Sequence, residues 1–326
     1  MMHTPLKIKN VCHCLPYPWH PSVVFAESGW NGHKFWMAQT PYPPYEVKPY
    51  RDYYELPCIH YSDDGIHWHP IPGNPIEVLT EEEIEAHNYY SDPHLVLKDG
   101  VLELFYRYTI LKDRQLIGNK TVLLRRTSVD GHNWSDREII ADLRVKEDVM
   151  IWGEQIVSQA IVWNDGKYRC YYVDRSSYLK DRKILRTTSV DGRTWQPYSE
   201  VELLGCVLDP CHIDVQYYED KYQMIVYDMD KIFWFESKDS LHFQFISEIL
   251  RPSSNRYDFY ADGLYRACSV KTRDEILVYF SAKRKKNTYL GLLSTYDRHR
   301  FIPVNGVPVI KWLPVVWKSL IKSFLR

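Results

Sequence analysis

Ser62-Asp63-Asp64-Gly65-Ile66-His67-Trp68 is one of three copies of a phrase, Ser-x-Asp-Gly-x-x-Trp, that returns at Ser128 to Trp134 and at Ser189 to Trp195. A weaker copy runs from Ser237 through Asp239 to Phe243, and a still weaker one lies between Ser294 and Phe301. Recurrence at roughly 50 to 65 residues marks one supersecondary unit repeated along the chain. Asp-Gly is turn chemistry: the carboxylate accepts local backbone hydrogen bonds and the glycine takes positive φ, while the aromatic residue three positions on packs as the next strand begins. The phrase contains no arrangement that performs catalysis, so its residues are structural.

A second element precedes each phrase. An apolar strand, a polar turn and an aromatic-rich strand recur at Leu95 to Tyr108 around Lys98-Asp99-Gly100, at Ala160 to Val173 around Asn164-Asp165-Gly166, and at Val215 to Tyr227 around Glu219-Asp220. Val23 to Ala38, turning at Asn31-Gly32, and Ala267 to Ser281, turning at Arg273-Asp274, complete the series. Short β-rich runs broken by turn signals read as antiparallel sheet. Four strands per unit and five units predict an all-β fold, a five-bladed β-propeller over residues 1–305. A large β-sandwich is the rival, but it gives no reason for so regular a recurrence.

Composition agrees with one compact body, since no Pro/Gly/Ser-rich linker interrupts the rhythm. Aromatic residues at 15%, with 26 Tyr and 11 Trp, suit sheets packed face to face and surfaces on which sugars stack. A net charge of -1 gives no electrostatic reason to expect a nucleic-acid partner. Residues 1–10 lack the apolar core of a secretory signal, and seven cysteines do not form a disulfide framework, which together favour a cytoplasmic protein. From Val307 to Arg326, Ile310, Leu313, Trp317, Leu320, Ile321 and Phe324 recur at helical spacing among four basic residues. Residues 306–326 are therefore expected to form a basic amphipathic C-terminal helix, with 307–326 making peripheral contact with the inner face of a membrane; the plainer alternative is a helix docked on the propeller's flank. Lys283 to Lys286 reads as a solvated hairpin tip, with anionic glycan or lipid headgroups as the sharper option.

In a propeller the side chains of all blades converge at the channel mouth, where the innermost strands begin. Counting back about seven residues from each polar turn, with the longer first turn taken to start near Glu27, brings His20 or Ser22, Asp92 with His94, Ser158 or Gln159, Asp214 with His212, and Arg266 to comparable positions. Trp36 and Tyr42 belong to an aromatic-rich first blade whose 40–54 loop is expected to form a substrate-contacting rim.

At His20-Pro21-Ser22, Ser91-Asp92-Pro93-His94, Glu154 to Ser158 and His212-Ile213-Asp214, the chain resembles the five-bladed glycoside hydrolases, the clan of arabinanases, xylosidases, invertases and levansucrases. The resemblance covers roughly residues 15 to 300 and implies a first-blade Asp as base or nucleophile, a second-blade Asp that orients, and a third-blade Glu as acid. By position Asp92 matches the orienting carboxylate and Glu154 the acid, although Glu154 stands eleven residues before its turn at Asp165. His20-Pro21-Ser22 departs from the pattern, because the first-blade Asp is absent. Glycoside hydrolysis needs a pair of carboxyl groups, so Asp214 or His20 is the expected base. His94, His212, Ser158, Gln159, Arg266, Tyr42 and Trp36 are expected to contact substrate. His20, His94 and His212 with Asp92 and Asp214 also resemble a loose metal shell, but such histidines more often orient carboxylates or bind hydroxyls, and no metal or other cofactor is expected. The expectation is a carbohydrate-active enzyme that cleaves or transfers a glycosyl unit of an oligo- or polysaccharide, in one version lipid-linked, during surface-polysaccharide assembly or trimming. A glycosyltransferase using an activated sugar donor and a non-catalytic glycan-binding propeller are the alternatives.

Overall fold

The computed structural model describes residues 5–8, 17–43, 54–175, 182–229 and 231–304, apart from the side chains of 116–118. The expected C-terminal helix and its membrane contact, most of the 40–54 loop, and Cys12 to Cys14 lie outside the described residues. No helix among the described residues is long and apolar enough to cross a membrane.

The turn phrases fold as their chemistry dictates. In each of the three full copies the serine Oγ accepts from the glycine N–H, at 3.0 Å for Gly65, 2.8 Å for Gly131 and 2.9 Å for Gly192. The aspartate Oδ1 then accepts two further backbone N–H groups, for Asp130 from His132 at 2.8 Å and Asn133 at 2.7 Å. The fourth copy closes identically with Ser240, at φ 72°, in the glycine's place. The fifth starts at Thr295 rather than Ser294, with Asp297 capping and Arg298 at φ 63°. Loss of the glycine therefore hides these two copies from a pattern search while leaving the hydrogen-bonded turn intact.

Four of the polar turns are two-residue hairpins, and both residues of each have positive φ: Asn31 and Gly32 (47° and 85°), Asp99 and Gly100 (51° and 76°), Asp165 and Gly166 (53° and 66°), Glu219 and Asp220 (55° and 56°). This is the turn whose twist matches that of the flanking strands. The meanders so formed assemble into sheets. Pro18–Trp30, His33–Pro41, Cys58–Ser62 and His69–Pro70 make the first, and Tyr89–Lys98, Val101–Lys112, Gln115–Ser128 and Glu138–Asp142 the second. Two further four-stranded meanders, starting at Val157–Asn164 and His212–Tyr218, are joined into an eight-stranded sheet by parallel pairing of Glu202 to Leu204 with His242 to Gln244. The last sheet, Gly263–Lys271, Ile276–Arg284 and Asn287–Thr295, gains the early strand Leu6–Lys7, with Leu6 opposite Leu292.

The first strands of the five meanders pack in a closed cycle: Pro18–Trp30 against Tyr89–Lys98, that against Val157–Asn164, then His212–Tyr218, then Gly263–Lys271, and back to Pro18–Trp30. Polar contacts rivet every step. Leu95 N–H donates to Ser22 Oγ at 3.0 Å, and His94 Nε2 meets the Ile161 carbonyl at 2.9 Å. Ser158 Oγ accepts from Ile213 N–H at 2.9 Å, Asp214 Oδ2 from Ser269 N–H at 3.2 Å, and Ser281 Oγ from His20 N–H at 3.0 Å. The result is an all-β fold of the propeller kind, with apolar clusters filling the wedges between successive sheets. Trp36 fills one of them, fully buried against the space that Gly131, at φ 78°, leaves for its ring.

Candidate active site

Where the innermost strands begin, their pairing is interrupted. Register shifts fall between Trp19 and Ser22, Ser91 and His94, Val157 and Ala160, and Leu264 and Ala267. His20, Asp92 and Ser158 stand in three of these bulges with φ of 51°, 51° and 54°. A bulge in the left-handed region bends the strand and re-aims one side chain out of the alternating order. Repetition at matching positions turns these side chains toward the ring's axis.

Asp92 is the hub. Its Oδ2 accepts from Arg107 Nε at 2.6 Å and from Ser158 N–H at 3.1 Å, and its backbone carbonyl accepts from Gln159 Nε2. Its Oδ1 makes no hydrogen bond, and stands 3.6 Å from His20 Nε2, 3.6 Å from His212 Nδ1 and 3.6 Å from Arg266 NH1. Burial alone raises a carboxyl's pKa, but here the Arg107 guanidinium, with Arg266 further off, outweighs it and holds Asp92 ionised, well below the usual range. Burial lowers His20 to about 3 and His212 well below its ordinary value, so both rings are neutral.

Neutral histidines and an ionised carboxylate are the protonation states of metal ligands. His20 Nδ1 lies 2.9 Å from Thr40 Oγ1, and its Nε2, with no hydrogen-bond partner, faces Asp92; with the ring proton on Nδ1, the Nε2 lone pair is free for an ion. Neither ring nitrogen of His212 has a hydrogen-bond partner. The ligand atoms of His20, Asp92 and His212 all lie within 4.8 Å of one another, and all three residues are buried. Atoms bound to one tetrahedral ion at about 2.0 to 2.1 Å stand roughly 3.3 Å apart, so the observed 3.6 Å separations of His20 and His212 from Asp92 need only small adjustment. The donor set fits a divalent transition metal, where the sequence had suggested a metal-free site.

The cluster floors a cavity of about 320 Å³ lined by Tyr42, Tyr54, Glu55, Arg107, Asn119, Arg175 and Tyr265 among others. One wall is aromatic: Trp19 stacks on Tyr265 at 4.9 Å and on Tyr42 at 5.6 Å, and Tyr265 lies 4.2 Å from the His212 ring. Glu55 is the one carboxyl group among the described lining residues. Burial pushes it up to about 8 against the opposing pull of Ser91 and Arg107, and its Oε2 makes no hydrogen bond.

The residues singled out in the sequence divide into groups. His20, Asp92, His212 and Arg266 converge, and Tyr42 lines the cavity above them. Ser158, Gln159, His94 and Asp214 lie deeper, fully buried and engaged in the contacts between neighbouring sheets; His94 Nδ1 is 3.6 Å from Asp214 Oδ1. Burial lifts Asp214 to about 6. Glu154 is exposed, in the segment between the helix Lys146–Trp152 and the strand Val157–Asn164, and does not line the cavity. Trp36 is a wedge between sheets and does not reach the cavity. Missed altogether were Glu55, Arg107, Arg175 and Tyr265. Arg107 was within reach: reflecting Asp92 through the Asp99-Gly100 turn lands on it, and Ser91 pairs with Arg107 in the ladder. Glu55 follows a long loop of no periodicity, and only closure of the ring brings it to Asp92's neighbourhood.

No protein-family model matches the chain. Over 117 residues, 35% of its length, it is 32% identical to an A type blood N-acetyl-α-D-galactosamine deacetylase of Flavonifractor plautii, and this match spans 14% of that relative. Among solved structures, an N-acetylgalactosamine deacetylase of F. plautii in complex with blood group B trisaccharide superimposes with a TM-score of 0.69 at 18% identity, covering 89% of this chain and 93% of that one. A GH43_1 enzyme of Xanthomonas citri complexed with xylotriose gives 0.63 at 9% identity over 92% and 94% of the two chains. A GH43 β-xylosidase/α-arabinofuranosidase from a compost metagenome gives 0.61 at 13% identity over 93% and 98%.

Proposed function

Because the chain has the fold of the arabinanase- and xylosidase-like propeller glycoside hydrolases, a fold shared with a sugar deacetylase, we propose that it is a five-bladed carbohydrate-active enzyme that hydrolyses the N-acyl group of an amino sugar with a divalent metal ion held by His20, Asp92 and His212. One observation carries this reading: three buried ligand atoms in metal-binding protonation states converge without hydrogen bonds to one another, beneath a sugar-sized cavity with an aromatic wall. When bound, such an ion supplies Lewis acidity toward a carbonyl oxygen and a water of lowered pKa.

The chain's own residues do the rest. Arg107 pins one oxygen of Asp92 and frees the other for the ion. Thr40 Oγ1 holds His20 Nδ1 at 2.9 Å and so orients the ring with Nε2 toward Asp92. Tyr42 and Tyr265, backed by the buried Trp19, form the aromatic side of the cavity and exclude water there. The Glu55 carboxyl carries an exchangeable proton on the cavity, in the range where a carboxyl both accepts and returns a proton near neutral pH. Glycosidic cleavage is the second reading, supported by the xylosidase-like structures, but it calls for two opposed carboxyl groups on the cavity. Glu55 alone among the described lining residues offers one, so amide hydrolysis is favoured.

The test is acetate release from N-acetylgalactosamine and N-acetylglucosamine glycosides by protein stripped with chelator and reloaded with zinc, manganese or cobalt, alongside metal stoichiometry. One ion per chain, and acetate release that disappears with chelator and in His212→Ala, is the expected result. Failure of the protein to retain any divalent ion overturns the reading.

A further inference from the structure

Among the described residues, one guanidinium on the cavity wall has no carboxylate within ion-pair distance. Arg107 is matched by Asp92 at 2.6 Å, and Arg266 lies 3.6 Å from the same carboxylate and donates to the Gln159 carbonyl at 3.2 Å. Arg182, nearby in sequence, pairs with Asp209 at 3.4 Å. Arg175 lines the cavity, at the end of the strand Lys167–Asp174, yet has no carboxylate partner among the described residues. Its NH2 points at Cys211 Sγ, 2.5 Å away, and its Nε is buried with no hydrogen bond. A thiol is a weak acceptor, so a guanidinium held this way keeps most of its donor capacity unspent. A half-buried guanidinium with no carboxylate beside it attracts counter-charge, and a planar fork of donors in a binding cavity answers to a planar anion.

We propose that Arg175 is a specificity residue that binds the carboxylate of an acidic sugar, a uronic acid unit adjoining the N-acylated sugar. The inference rests on the sugar-binding reading above and deepens it by naming the charge of the substrate. Two features agree with it. Glu55, the lining carboxyl, is held protonated at neutral pH and so does not repel an anion. Lys283, Lys285 and Lys286 are exposed at and beside the turn between Ile276–Arg284 and Asn287–Thr295, which lies at the same end of the ring as the site because the paired strand Gly263–Lys271 begins there. The charged tip found in the sequence thus extends positive potential along the approach to the cavity.

The experiment compares two probes by calorimetry at fixed ionic strength: an unsulfated chondroitin tetrasaccharide, alternating N-acetylgalactosamine and glucuronic acid, and its carboxyl-reduced counterpart. Wild-type protein is expected to bind the acidic form roughly tenfold to a hundredfold more tightly, the range of a hydrogen bond between charged groups. Arg175→Gln is expected to erase the preference with affinity for the reduced form unchanged, and Arg175→Lys to keep part of it. Equal affinity of wild type for the two probes, no binding of either, or a preference that survives in Arg175→Gln overturns the proposal. Should Arg175→Gln not fold, the wild-type comparison and Arg175→Lys still decide. Binding is read independently of turnover: acidic binding without acetate release sinks deacylation and leaves Arg175 standing.

Discussion

Replacing Glu55 by Gln tests whether a buried carboxyl is kept for chemistry at the expense of stability. In the fold its pKa rises from 4.5 to about 8, chiefly through burial. A carboxyl raised in this way binds its proton in the folded chain at pH values where the unfolded chain has lost it. Stability therefore falls as pH rises from about 4.5 to about 8, and is level outside that window. At about 1.4 kcal/mol per unit, the full span is about 5 kcal/mol. Glutamine occupies nearly the same volume, keeps a carbonyl oxygen, and has no charge to desolvate. Urea unfolding of metal-free protein at pH 4, 6 and 8 should show wild type and Glu55→Gln nearly equal at pH 4, with the variant gaining steadily toward pH 8. Turnover should move the other way, by about 10²- to 10⁴-fold if the Glu55 proton is used in the reaction. A stability difference that does not change between pH 4 and pH 8 refutes the electrostatic argument, and full activity in the variant refutes the assigned role.

Three further predictions follow from the same geometry. Saturating zinc at a hundred times its dissociation constant stabilises the fold by about 2.7 kcal/mol, and His20→Ala or His212→Ala should cancel most of the resulting rise in melting temperature in a thermal-shift assay. Asp92→Asn strands Arg107 and Arg266 in the interior, and should cost about 3 to 5 kcal/mol in chemical unfolding as well as abolishing metal retention. Gly131→Ala drives a methyl into the Trp36 ring at a backbone position of φ 78°, and should lower stability by more than about 1 kcal/mol while leaving metal binding intact, since neither residue lines the cavity.

How much of this was legible in the sequence depends on the kind of residue. The meanders were readable because their turns use local chemistry: Asp-Gly after serine and Asn-Gly or Asp-Gly between strands dictate geometry within a few residues. The axis positions Asp92, His212 and Arg266 followed from the same count, each standing seven residues or a little more before its turn; His20 was reached by taking the first turn to start near Glu27, whereas the hairpin closes at Asn31 and Gly32 and the strand Pro18–Trp30 is the longer for it. Their division of labour was not readable. Asp214 and His94 occupy positions indistinguishable in the text from Asp92, yet two residues along a strand separate the rivets between sheets, His94 and Asp214, from the cavity-side groups Asp92 and His212. Glu154 looked like the clan's acid from its order along the chain. The helix Lys146–Trp152 beside it, ended by Gly153 at φ 77°, carries that stretch over the rim, so Glu154 faces outward. Glu55 and Arg175 each follow from three-dimensional closure alone.

The pairing of Leu6 with Leu292 imposes an order of assembly. The strand Leu6–Lys7 stays edge-open until residues 287–295 have emerged, and the His20 backbone waits likewise for Ser281. The proposed metal ligands on the first and fourth meanders gain their final spacing only when that seam shuts. On the proposal above, a chain truncated before the last sheet should therefore fail to take up the ion, and ion uptake should report closure of the ring.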